Sequence, residues 1–239
     1  ALQKGRSGIE CLPERKEMGF RSCLTGTLKN LPPLDIPKKF RRQMGRGSLL
    51  AVRALRQALE AAGLTEEALK NGHTGIIIGN SGNMLDIFEQ CDLFRNQGKK
   101  LGGTALQRTM ASSVSANLSV LLGTRGQCMT VSTACASGAT AIGQAVKLIH
   151  TGQQRRMICG GVQDGSWAYD CNFDALRVFS RREDEPEQAS RPFDAFRDGL
   201  VPSAGCGLLI LERLAEARQR GARIHAEIAG YATNSDGYD

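Results

Sequence analysis

One cysteine stands where a nucleophile would be exposed. Cys135 lies between Ala134 and Ala136 and is followed by Ser137 and Gly138, so nothing bulky flanks its thiol. It falls where an apolar run over 127–132, which reads as a strand, gives way to an apolar run over 139–150, which reads as a helix. A thiol at the start of a buried helix feels the dipole and the unpaired N–H groups there, which favour thiolate and lower the thiol pKa. Those N–H groups can also hold an oxyanion, and small neighbours let an acyl carbonyl approach within hydrogen-bond distance. The logic is that of the serine nucleophile elbow with Cys in place of Ser. A free Cys also commonly serves as a small buried hydrophobe, and the residues alone leave both roles open.

Other candidate chemistry is sparser. The eight cysteines form no C-x-x-C pair and have no His at zinc-finger spacing, so no metal site is expected. Several sit inside apolar runs, and the expectation is buried, reduced thiols in a cytoplasmic protein. Gly102-Gly103 and Gly160-Gly161 match neither dinucleotide nor P-loop spacing. The net charge is +7, and Lys38, Lys39, Arg41, Arg42 and Arg46 concentrate the excess. That cluster suits an acidic partner or a solvated helix end; with few aromatics interleaved, nucleic acid ranks last.

These residues need elements to hold them. A strand is expected over 74–79, a turn over 80–82, and strands over 156–160, 205–212 and 224–231. Helices are expected over 38–62, 84–95, 105–122 and 167–178, with loops over 1–37 and 181–198. Alternation of strands and helices points to an α/β layered sheet covered on both faces. The 239 residues, 41% hydrophobic and 23% charged, suit one large globular domain or two small ones. No apolar run approaches the ~18 residues of a membrane span. The chain opens without Met or a signal-peptide pattern, so a truncated natural N-terminus is expected.

The stretch Val131-Ser-Thr-Ala-Cys-Ala-Ser-Gly138 resembles the nucleophile motif of the β-ketoacyl-[acyl carrier protein] synthases, which have a thiolase-like fold. A second block, from Arg191-Pro-Phe-Asp to Leu211-Glu212, resembles the same family in order and spacing, as do Gly221 to Tyr231 and Asn234-Ser-Asp-Gly237. The likeness covers nearly all of the chain and is strongest to the bacterial fatty-acid elongating enzymes. It implies the first half of a duplicated fold with a mixed sheet. Residues 1–239 would be an N-terminal ketoacyl synthase domain, truncated at both ends and without the C-terminal half.

The resemblance also implies a decarboxylating condensation in which Cys135 accepts the acyl group and a malonyl-carrier thioester supplies the carbanion, in fatty-acid or related polyketide biosynthesis. No cofactor is implied, since the phosphopantetheine thioester of the carrier is substrate. Lys38, Lys39 and Arg42 would dock the acidic acyl carrier protein, and Phe173 would line the acyl pocket. The family's two catalytic histidines and lysine follow the point where this chain stops, and His73, His150 and His225 match none of them. The family pairs as a homodimer through the strand over 127–132. Other readings are a non-catalytic carrier-binding or dimerisation partner and another thiolase-fold acyltransferase.

Overall fold

A computed structural model describes residues 2–238. In chain order the elements are β1 (Ile9–Cys11), α1 (Pro13–Glu17), β2 (Leu24–Gly26), α2 (Lys38–Arg41), α3 (Arg46–Ala62), β3 (Thr74–Gly79), α4 (Met84–Arg95) and α5 (Ala105–Thr109). They continue with α6 (Ser113–Leu122), β4 (Cys128–Val131), α7 (Ser137–His150), β5 (Arg156–Gln163), α8 (Trp167–Ala175), β6 (Gly205–Glu212) and α9 (Leu214–Gln219).

The central sheet has the order β4-β3-β5-β6. β3 runs parallel to β4 and β5, and β6 closes antiparallel on β5, so the sheet is mixed as expected. All of β3 is buried, which is why Thr74-Gly-Ile-Ile-Ile-Gly79 reads as a continuous apolar run. Successive side chains still face opposite layers. Ile76 and Ile78 join Val52, Leu55, Val114 and Leu118 under α3 and α6, while Ile77 joins Ala141, Ala145, Met157 and Cys159 under α7. The small residues of α7 let its axis lie close to the sheet, with consequences for Cys135 described below.

Several expected elements differ in extent, each for a tertiary reason. The helix expected over 105–122 breaks between α5 and α6. There the buried Asn80 amide donates to the Ala111 carbonyl (3.0 Å) and the Asn83 amide to the Met110 carbonyl (2.7 Å). The helix expected over 38–62 is likewise two, because Thr104 Oγ1 and the Asn117 amide donate to the carbonyls of Arg42 (3.1 Å) and Gln43 (3.2 Å). Helix α8 stops at Ala175, ahead of Arg177 at φ 60°, short of the expected 178.

Two expectations are overturned. Residues 224–231 form no strand. Ile224 and Ile228 are exposed and the segment has no ladder partner among the described residues; its anchor is the Tyr231 ring, which lies on the bare face of Gly143 in α7. Cys11 and Cys23 are not free thiols but a disulfide, with Cα atoms 4.7 Å apart. The antiparallel register of β1 on β2 pairs Cys11 with Leu24, which brings Cys11 next to the preceding residue, Cys23. The other six cysteines are free, but Cys91, Cys128, Cys135 and Cys171 are exposed, not buried as expected.

Candidate functional site

The carboxyl ends of β3, β4 and β5 open on one end of the sheet, the usual place for ligands in α/β folds. The chain from β4 turns there through residues 132–136 into α7. Ala134 sits at φ 48°, a left-handed conformation that costs a non-glycine residue about 1 kcal/mol or more and is tolerated where the surroundings impose it. Ser137, which is buried, provides that constraint: its hydroxyl accepts from the Thr133 N–H (2.9 Å) and donates to the Ala134 carbonyl (2.6 Å). The Ala136 and Ser137 N–H groups donate to the carbonyls of Thr133 (3.0 Å) and Ala134 (3.1 Å). Cys135 is left at the apex with its thiol exposed, and among the described residues its N–H has no protein acceptor.

Glycine fixes how deep this turn sits. A Cβ on Gly79 would collide with the Ser137 carbonyl and come within 2.5 Å of the Gly138 nitrogen, and one on Gly161 would lie 3.0 Å from Gly138 Cα. The first turn of α7 therefore rests directly on the ends of β3 and β5. Gly138 was legible as a small flank of Cys135; Gly79, Gly161 and the bonding role of Ser137 were not, because they depend on contacts between separate elements.

The remaining thiols differ from Cys135. Burial pushes Cys159 and Cys206 up to about 12, which leaves them protonated and inert near neutral pH. Cys91, Cys128 and Cys171 are exposed, but none lies in a turn at the start of a helix.

The basic cluster lies at the same end of the sheet as Cys135. Gly45, just after α2, packs against Asp86 in the first turn of α4, and Gly47 packs near Asn83, Val114 and Val162. Lys38, Lys39 and Arg42 are exposed, the Lys39 ammonium 4.7 Å from the Phe40 ring centroid. Among the described residues, none of the three makes an ion pair. The cluster belongs mainly to the short α2, not to the start of the long helix.

Helix α8 leaves the carboxyl end of β5 and docks on α4. The Trp167 and Phe88 rings meet edge-to-face at 4.8 Å, and the Tyr169 hydroxyl donates to the Ser81 carbonyl (2.7 Å). Phe173 is half-buried on this helix, with Phe179 as its aromatic neighbour at 6.4 Å. Helix α8 starts at the same end of the sheet as Cys135, and among the described residues no hydrogen bond joins Phe173 to Cys135. The histidines are elsewhere: His73 precedes the amino end of β3, His150 ends α7, and His150 and His225 line a groove beside β6. The 14-residue α7 separates His150 from Cys135 by roughly 20 Å of helix rise.

Comparison with known proteins decides the family. Residues 2–217 match the family model described as Beta-ketoacyl synthase, N-terminal domain. The chain belongs to the β-ketoacyl synthase family. It is 43% identical over 243 residues to 3-oxoacyl-[acyl-carrier-protein] synthase 1 of Haemophilus influenzae, covering 100% of this chain and 60% of that protein. It is 38% identical over 244 residues to the Escherichia coli K12 protein of the same name, again covering 100% and 60%. The chain thus spans about 60% of the length of these curated relatives. Among solved structures, a β-ketoacyl synthase from Burkholderia phymatum STM815 superposes with a TM-score of 0.91 at 36% identity, over 100% of this chain and 60% of that one. A ketosynthase in complex with a type II polyketide acyl-carrier protein superposes with a TM-score of 0.81 at 28% identity, over 98% and 58%. The fold is the thiolase-like α/β class that the two sequence blocks imply.

Proposed function

We propose that Cys135 is the acyl-accepting nucleophile and that the whole protein carries out the decarboxylating condensation of a β-ketoacyl-[acyl-carrier-protein] synthase. The observation that carries this is the exposed Cys135 thiol at a strained turn on the N-terminus of α7, within the span matching the family. The thiolate attacks the thioester carbonyl, the C–S bond to the phosphopantetheine sulfur breaks, and that sulfur leaves as a thiol with one proton. The Cys135 N–H is free to donate to the carbonyl oxygen as charge develops on it, next to the positive end of the α7 dipole. In the second half, malonyl thioester loses CO2 and its carbanion attacks the acyl carbon, returning Cys135 as thiolate. His73, His150 and His225 all lie away from Cys135, so none of them is assigned to the decarboxylation. The step assigned to this chain is acyl transfer to Cys135. Incubation with an acyl-pantetheine thioester should therefore add one acyl mass to the intact protein, localised to the Cys135 peptide.

The carrier protein reaches Cys135 over the basic cluster. Unpaired, exposed Lys38, Lys39 and Arg42 at the same end of the sheet favour an acidic partner. Reversing all three to Glu should weaken carrier binding by roughly 10- to 100-fold at low salt. The wild-type advantage should shrink as ionic strength rises and the Debye length falls. Surface plasmon resonance at graded salt reads this directly, and equal affinity of variant and parent at low salt removes the cluster from docking. Phe173 is assigned to the wall of the acyl pocket, on the strength of its position on α8 at that end of the sheet.

We also assign the open edge of β4 to pairing with a second copy. β4 bonds β3 on one side and no strand on the other among the described residues, and Met129 is 37% exposed there. An unpaired edge is a ready template for another strand. Met129→Lys is expected to shift sedimentation equilibrium from dimer towards monomer by at least tenfold in Kd; an unchanged Kd would place the interface elsewhere. Among the described residues no helix is long and apolar enough to cross a membrane. The six free thiols favour a reducing cytoplasm.

A further inference from the structure

β1 and β2 are three residues each and form a sheet of their own, which is marginal without support. The Cys11–Cys23 disulfide supplies a covalent tie across it. The loop it closes carries the contacts that hold α8 and the segment after it. Arg15 forms a buried ion pair with Asp170 at 2.7 Å, and the Arg21 N–H donates to Asp174 Oδ1 (3.1 Å). The Ser22 hydroxyl donates to the Ser180 carbonyl (2.7 Å), and Lys16 pairs with Glu183 at 2.7 Å. The Arg15 guanidinium lies over Phe20 (4.3 Å) and near Phe179 (5.9 Å), the ring that neighbours Phe173. Among the described residues its Nε and Nη2 have no hydrogen-bond partner, so this buried charge is answered mainly by the Asp170 carboxylate.

One disulfide beside six free thiols is the pattern of a redox-responsive bond in a protein that otherwise keeps its thiols reduced. Cys11 is exposed and Cys23 is 1% exposed, so the sulfur open to attack is that of Cys11.

We propose that Cys11 and Cys23 are a reversible redox site, opened and closed by exchange with low-molecular-weight thiols and disulfides, and that the closed bond holds α8 in place. A thiolate of the glutathione class attacks Cys11 Sγ, the S–S bond breaks, and Cys23 leaves as thiolate and takes a proton from solvent. A second such thiolate attacks the small-molecule sulfur of the mixed disulfide, freeing Cys11, which is protonated in turn. Two electrons and two protons pass from two small thiols to the protein, and a small disulfide is formed. The reverse exchange closes the bond. This goes beyond the condensation reading and does not depend on Cys135 being a nucleophile.

The test is hydrogen exchange and differential alkylation of the purified chain across glutathione buffers of graded reduced-to-oxidised ratio. Cys11 and Cys23 are expected to open together in one transition, with amide exchange over 167–180 rising at least tenfold on opening. The Cys11→Ser/Cys23→Ser variant should match the reduced parent in both buffers. A pair that alkylates even in fully oxidised buffer, a bond that never opens, or an exchange increase confined to 1–27 overturns the proposal. Because the parent is compared with itself in two buffers, the result does not require the variant to fold.

Discussion

Cys135→Ala is expected to abolish acyl transfer, with the rate of acyl-enzyme formation falling by on the order of 10⁴-fold or more, since no bond to the acyl carbon can form without the sulfur. The same substitution should leave the fold untouched. The thiol is exposed, and the turn around it is held by Ser137, Thr133 and Ala134, not by sulfur. Its effect on unfolding free energy should stay within about 0.5 kcal/mol. Intact-mass spectrometry after incubation with an acyl thioester measures the first quantity and urea unfolding the second. Loss of loading together with loss of stability would make Cys135 a structural residue instead.

Gly79→Ala should be strongly destabilising. The new Cβ would run into the Ser137 carbonyl and come within 2.5 Å of the Gly138 nitrogen. Both are backbone atoms of a helix start already fixed by the Ser137 hydroxyl bonds, so neither can rotate away. Relief requires α7 to lift off β3, which also loosens Ala141 and Ala145 against Ile77 and Cys159. A cost of about 3 kcal/mol or more follows. Any folded fraction should also load acyl groups more slowly, because Cys135 moves with the first turn of α7. Gly161→Ala, whose Cβ meets Gly138 Cα at 3.0 Å, should cost less, and Gly102→Ala, with nothing within 4 Å, should be close to neutral. Urea midpoints of the three variants check the order; a Gly79→Ala protein as stable as Gly102→Ala would mean that α7 does not rest on β3 as described.

Much of this arrangement is legible in the sequence where the signal is local. The buried run at β3, the whole of α4 and the alternating β6 are bounded in the structure as the pattern predicts. Cys135 stands out because small residues at a strand-to-helix turn have a chemical reading of their own, and its motif carries the family. What is missed depends on partners far along the chain. Asn80 and Asn83 capture carbonyls that a helix over 105–122 would have used internally. The pairing of Cys11 with Cys23 requires the β1–β2 register, which no spacing rule reveals. Residues 224–231 have the apolar alternation of a strand, but a strand also needs a neighbour to bond, and periodicity does not report on neighbours. Gly79 looks like an ordinary strand end until α7 is laid against it.

The most direct measurement is a competition among the protein's own thiols. The native chain is treated with a substoichiometric chloroacetyl-pantetheine probe, and the labelled peptides are quantified. Cys135 is predicted to take the label at least tenfold faster than Cys91, Cys128 and Cys171, which are also exposed, while the buried Cys159 takes none. Label spread evenly over the exposed cysteines, or concentrated on any one of them other than Cys135, would contradict the assignment of Cys135 as the acyl-accepting nucleophile.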